Sequence, residues 1–200
     1  MSSIYDSDIN KLIDDAFNAL SDKRKKHTQN VMEEAKHLAE KYGADVDKAL
    51  FSAKCHDLFR GLDINEINSL IKEYKLDDRY LNNANLAHGK IAEKYVSELG
   101  LKDEEVLDAI SFHTTGRAGM TLLEKIIFIA DAIEPLRDYP GVDKLRKLAY
   151  EDIDDACLLS LEGTIKHLRE SGVPEESVDR DTIEAADYYR SVRKEELNDK

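Results

Sequence analysis

Apolar residues recur along this chain at intervals of three and four, and short polar stretches rich in Gly, Asp and Ser separate the runs. That is the period of amphipathic helices, and no stretch alternates convincingly as a strand does. The pattern predicts an all-α fold. Ile9, Leu12, Ile13, Phe17 and Leu20 form a first helix, ended by Ser21-Asp22-Lys23. A second runs from about Lys25 to Tyr42, with Val31, Ala35, Leu38 and Tyr42 inward and Gly43 as its stop. A third, capped by Asp45, carries Val46, Ala49, Leu50 and Ala53 inward and runs on to Gly61. Leu62 to Tyr80 gives a short helix and a polar turn at Asp77-Asp78, expected as a lid or variable insert. Further helices are expected from Leu86 to Leu99, from Asp103 to His113, and from Leu122 to Glu134 behind a Thr121 cap. Pro135 breaks the last of these, and Arg137 to Gly141 forms a turn. The remainder reads as helix through Leu168, stopped by Gly172 and Pro174, then a short helix from Asp181 to Arg193 and a frayed tail from Lys194 to Lys200.

Composition supports this picture. Three Pro and nine Gly in 200 residues favour helix, and 42% hydrophobic residues are enough for a sizeable core. The formal charge of -13, from 42 acidic and 29 basic residues, argues against nonspecific binding to nucleic acid or to an anionic membrane. A local basic pocket for a small phosphate ligand remains compatible with it. Cys55 and Cys157 are too few for a disulfide framework and read as reduced core thiols. Met1 to Lys11 lacks the basic and apolar regions of a signal peptide, and no run resembles a membrane span, so the expected location is the cytoplasm.

The candidate chemistry lies on the inner stripes. His27, His56 with Asp57, His88, His113 and Asp131 each fall on the apolar face of a different predicted helix. His37 and His167 fall on charged, outward faces. A buried carboxylate is costly unless paired, protonated or bound to a cation, so this sorting points to a metal site. Four imidazoles and two carboxylates without thiolate favour iron, manganese or another borderline divalent ion. Six protein ligands suit two metals better than one, with Asp57 as the natural bridge, and a pair of metals can clamp the oxygens of a phosphoryl displacement. Thr114-Thr115-Gly116-Arg117-Ala118-Gly119 combines hydroxyls, flexible glycines and a cation, a composition suited to phosphate. Arg60, Arg117 and Arg137 stand close in sequence to the candidate ligands. They suit phosphate contacts as well as they suit ordinary surface cations. Tyr188-Tyr189 reads as packing.

A His, then a His-Asp pair, then a distal Asp on helices resembles the HD-domain metal-dependent phosphohydrolases. The runs His113 to Met120, Lys125 to Pro135 and Arg137 to Gly141 resemble the YqeK family in particular, and the likeness covers about Arg24 to Arg190. This resemblance implies a bacterial HD-domain helical bundle with a buried dinuclear iron site, cleaving diadenosine tetraphosphate symmetrically to two ADP by a metal-activated water. It implies a principal metal site at His27, His56, Asp57 and Asp131, with His88 and His113 holding a second metal through Asp57. Asp57, His88 and His113 are then the expected catalytic residues. Nucleotide contacts are implied for Arg60, His88, His113, Thr114, Thr115, Gly116, Arg117 and Arg137. Where the family has an Ile-His-Pro-Arg-Thr-like segment, this chain reads Val178-Asp179-Arg180-Asp181-Thr182.

The expected layout is one HD-type domain over 1–200, with a core of about 24–172, an N-terminal helix in 1–20 and a C-terminal helix and tail in 175–200. A homodimer is compatible with an acidic helical domain of this size. Three alternatives stand beside the main reading: an HD phosphohydrolase acting on another nucleotide or phosphoester, an HD-type diiron oxygenase, and a non-catalytic nucleotide sensor.

Overall fold

The computed structural model describes residues 5–174 and 177–198, with side chains up to residue 195. Ten α-helices and one short 3₁₀ turn, and no strand, occur among the described residues. The helices are α1 (Ser7–Ala19), α2 (Asp22–Tyr42), α3 (Val46–Cys55), α4 (Ile64–Glu73), α5 (Ala84–Glu98), α6 (Glu104–Phe112), α7 (Leu122–Ile133), α8 (Val142–Ala149), α9 (Ile153–Glu170) and α10 (Arg180–Asn198).

Capping chemistry sets most of the boundaries. Asp45, Asp63, Asp103, Thr121 and Asp152 each accept a backbone N–H in the first turn of the helix that follows. Glu66 and Glu124 complete reciprocal capping boxes. At Gly43 the chain turns left-handed, with φ of 74°, and α2 stops. Three limits differ from the sequence expectation. Ser21 caps a new helix instead of ending one region, so α2 begins at Asp22. The third helix was expected to reach Gly61 but ends at Cys55, because the Leu58 and Arg60 N–H groups bond carbonyls three residues back and tighten the chain into turns. The tail expected to fray after Arg193 is helical as far as Asn198.

α7 is the central element. Ile126, Ile127, Ile129 and Ala130 are fully buried, and α2, α3, α6, α8 and α9 all pack on it. Its β-branched residues are modest helix formers, so burial and not propensity holds it. A second, smaller apolar cluster of Ile67, Ile71, Tyr80, Ala87 and Ile91 joins α4 and the 3₁₀ turn (Asp78–Tyr80) to α5. Arg79 in that turn binds Asp181 at 2.7 Å and Asp179 at 3.4 Å, so the Val178 to Thr182 segment anchors the start of α10. Tyr189 is buried and Tyr188 is exposed, in keeping with a packing role for the former.

Candidate metal centre

The helix ends deliver the donors. His27 lies in the second turn of α2, His88 in the second turn of α5, and Asp131 in the last turn of α7. His56 and His113 are the C-caps of α3 and α6, and Asp57 follows His56 into the turn. A helix C-terminus has carbonyls without intrahelical partners, and both capping imidazoles use them. His56 Nδ1 meets the Ala53 carbonyl at 2.6 Å and His113 Nδ1 the Ile110 carbonyl at 2.8 Å. His88 Nδ1 meets the Ala84 carbonyl at 3.1 Å, and His27 Nδ1 meets Glu134 Oε1 at 3.2 Å.

Each of the four Nδ1 atoms therefore faces an acceptor and carries the proton. Each Nε2 is left with a lone pair turned inward. Asp57 sits between them. Its Oδ2 lies 3.4 Å from His27 Nε2 and 3.7 Å from His56 Nε2, while its Oδ1 lies 3.1 Å from His88 Nε2. Asp131 Oδ1 is 3.1 Å from His27 Nε2 and 4.0 Å from His56 Nε2. Two donor groups result, His27 with His56 and Asp57, and Asp57 with His88 and His113, and they share Asp57. His37 and His167 are exposed.

The donor chemistry fits a cation. His56 Nε2 is buried without a hydrogen-bond partner, and His88 Nε2 faces His113 Nε2 at 2.9 Å. Two lone pairs that close need an electropositive atom beside them. A proton serves poorly, because burial, followed by the neighbouring His88 and His56, pushes His113 down to about 3. Burial alone would raise the Asp57 and Asp131 carboxyls. The surrounding histidines, with Arg137 beside Asp131, overcome that and hold both well below the usual carboxylate range. His27 is pulled down by burial but driven up on balance by Asp131, Asp57 and Glu134. Ionised carboxylates and imidazole lone pairs are the states in which these groups bind a divalent metal.

The remaining expected contacts divide. Thr114 Oγ1 is 3.0 Å from His113 Nε2, and Arg137 is bonded to the Asp131 carboxylate and carbonyl. Arg60 donates to Asn85 and lies within electrostatic reach of Asp57 and Asp131. The Thr115 hydroxyl donates to the Gly116 carbonyl and is buried, and Gly116 holds a left-handed turn at φ of 63°. Arg117 is not brought to the donors. Its guanidinium is taken by Glu124 at 2.5 and 2.9 Å and by Asp108 at 2.8 Å. A cleft of about 600 Å³ opens from His113, Thr114, Asp131 and Arg137.

Residues 24–136 match the HD domain family. The chain belongs to the HD domain family. The adjacent His56 and Asp57 lie within the matched residues, and the two groups of donors share Asp57. The HD-domain chain is 46% identical over 157 residues to a Halalkalibacterium halodurans protein named bis(5'-nucleosyl)-tetraphosphatase, symmetrical, covering 78% of this chain and 84% of that one. It is 42% identical to the Bacillus subtilis protein of the same name, again over 78% and 84%. The crystal structure of a Clostridium acetobutylicum protein, described as a predicted HD superfamily hydrolase involved in NAD metabolism, aligns with a TM-score of 0.83 at 42% identity, over 91% of this chain and 96% of that one.

The HD centre also uses residues that sequence reasoning missed. Glu134 is buried, accepts from His27 through Oε1 and from Asn30 through Oε2 at 2.8 Å. Arg24 donates to Asp57 Oδ2 at 3.1 Å. Helical spacing held a signal for two of them, since Asn30 lies one turn after His27 and Glu134 one turn after Asp131. Gly89 was missed too. A Cβ there would stand 2.9 Å from His113 Cε1 and 3.0 Å from the Ile110 carbonyl, so only glycine lets α5 approach the His113 ring this closely.

Proposed function

We propose that this chain is a divalent-metal-dependent phosphohydrolase that splits diadenosine tetraphosphate symmetrically into two ADP. The observation that carries the reading is the set of four imidazoles with Nδ1 tied back and Nε2 converging on Asp57 and Asp131. It occurs in a chain 46% identical to a protein named for that activity. His27, His56, Asp57 and Asp131 would hold one metal ion, and Asp57, His88 and His113 a second. A nitrogen and oxygen donor set without thiolate suits iron first and manganese next. When bound, such a pair supplies Lewis acidity and an acidified water for in-line phosphoryl displacement.

The protein's own groups then bind and orient. Glu134 and the three backbone carbonyls hold the imidazoles in one tautomer, so the donor end needs no reorganisation. Arg60, Arg137 and Arg24 surround the two carboxylates and are the cations available to a polyphosphate. They offset the charge that grows on the departing ADP, a good leaving group that needs no dedicated acid. The Thr114 hydroxyl, beside His113, is placed for a further phosphate oxygen. Arg117 we assign to the fold, because the carboxylates that its guanidinium serves, Glu124 and Asp108, are not among the donors.

Among the described residues no helix is long and apolar enough to cross a membrane. Cys55 and Cys157 are free and buried, which suits a reducing compartment, and we assign the protein to the cytoplasm. The decisive assay is anaerobic turnover of diadenosine tetraphosphate by the iron-loaded protein, with products separated by chromatography. Two ADP from the wild type and almost none from Asp57→Ala are expected. A metal-loaded wild type that leaves this substrate intact would overturn the assignment.

A further inference from the structure

Gly89 lets α5 come close to the end of α6, and its two neighbours in α5 reach past it on either side. Successive helix residues point about 100° apart, so His88 and Lys90 flank the glycine. His88 meets His113, the two Nε2 atoms standing 2.9 Å apart. Lys90 meets the residue before it, and its ammonium lies over the Phe112 ring, 3.3 Å from the centroid. Lys90 is only 7% exposed, and it makes no ion pair or hydrogen bond with any described residue. Asp181, Asp179 and Glu93 lie within electrostatic reach, but ion pairs with Arg79 and Lys94 engage them. The aromatic face is its partner, and a desolvated cation is held well there. Arg117, itself fixed by Glu124 and Asp108, approaches the same ring, 5.0 Å from its centroid. Burying an ammonium away from a carboxylate costs more than burying an apolar side chain, so packing alone does not call for lysine at this position.

We propose that Lys90 is a positioning residue of the metal centre: its cation–π contact with Phe112 fixes the last turn of α6 and holds His113 Nε2 opposite His88 Nε2. The two lone pairs repel, so these donors stay together only where the fold keeps α5 and α6 in place. His113 follows Phe112 directly, and a ring gripped from α5 sets the direction in which the next side chain leaves the helix. His88 and Lys90 thus act from the same helix, one supplying a donor and the other aiming its partner. The proposal rests on the two-metal part of the proposed function and not on the substrate.

Manganese binding without substrate tests it, followed by calorimetry and by electron paramagnetic resonance, where two ions sharing a carboxylate give a spin-coupled signal and a lone ion does not. The wild type should bind two ions. Lys90→Met keeps an unbranched apolar stem and removes the charge. It should weaken one ion roughly tenfold, leave the other within about twofold, and lose the coupled signal at stoichiometric metal. Lys90→Arg can still lie on the ring and should restore most of the affinity and the signal. Phe112→Leu removes the ring instead, and gives the same selective loss if Lys90→Met does not fold. A merely structural lysine would act on both ions alike, through the melting temperature of the chelated protein. Two ions bound by Lys90→Met as tightly as by the wild type, equal weakening of both, or no recovery in Lys90→Arg would each overturn the proposal and leave the centre standing. A wild type that binds one ion or none would overturn it together with the two-metal reading. Turnover does not enter the measurement, so a wild type that leaves diadenosine tetraphosphate intact but shows the selective loss in Lys90→Met would support the positioning role and remove only the substrate.

Discussion

Glu134 contributes no donor to the metal-binding groups, yet one of its oxygens orients His27 and the other accepts from Asn30 and from the Leu136 N–H at 2.9 Å. Removing such a support commonly costs ten- to a hundredfold in metal affinity. Glu134→Ala should therefore lower affinity by about that factor, read by competition with a chromogenic chelator, and Glu134→Gln should recover part of it. The donors themselves were readable as residues, because His27, His56, His88, His113 and Asp131 interrupt apolar stripes at helical spacing. The supports were readable only in part: Asn30 and Glu134 each lie one turn from a donor, but they are 104 residues apart and nothing local marks them as a buried pair. Arg24 gave no such signal, being a cation near the start of a helix whose carboxylate partner lies 33 residues on.

At the scale of elements, the turn between α6 and α7 depends on a clamp. Glu124 is buried, closes the capping box with Thr121, and receives Arg117 through two bonds. Arg117→Ala would leave that carboxylate buried without its cation. Since 34% of the Arg117 side chain is exposed, water softens the loss, and a destabilisation of about 2 kcal/mol is expected in urea unfolding. Asp108→Ala removes the more exposed partner and should cost under about 1 kcal/mol. The sequence suggested phosphate for Arg117 because composition marks a cation among hydroxyls and glycines. It does not say that a carboxylate seven residues away will reach it first. Helix starts were readable from Asp and Thr caps at Asp45, Asp103 and Thr121. The end of α3 was not, because no Gly or Pro stands at Cys55 and the helical stripe continues past the point where the hydrogen bonds change.

For the molecule as a whole, the donors join α2, the turn after α3, α5, the end of α6 and α7. A metal that binds this assembled set and not the unfolded chain adds its binding free energy to folding. Dialysis against a strong chelator should lower the melting temperature by several degrees, and stoichiometric iron or manganese should restore it. An unchanged melting temperature would mean that the donors are not metal ligands. The same arrangement bears on biosynthesis. Donors lie between positions 27 and 131, so a chain still emerging from the ribosome presents His27, His56 and Asp57 long before Asp131 exists. Chains grow at roughly 5–20 residues per second, so for several seconds only part of the donor set exists. The complete donor set therefore comes into being only when α7 docks, which makes the centre a product of finished folding and not of any one segment of the chain.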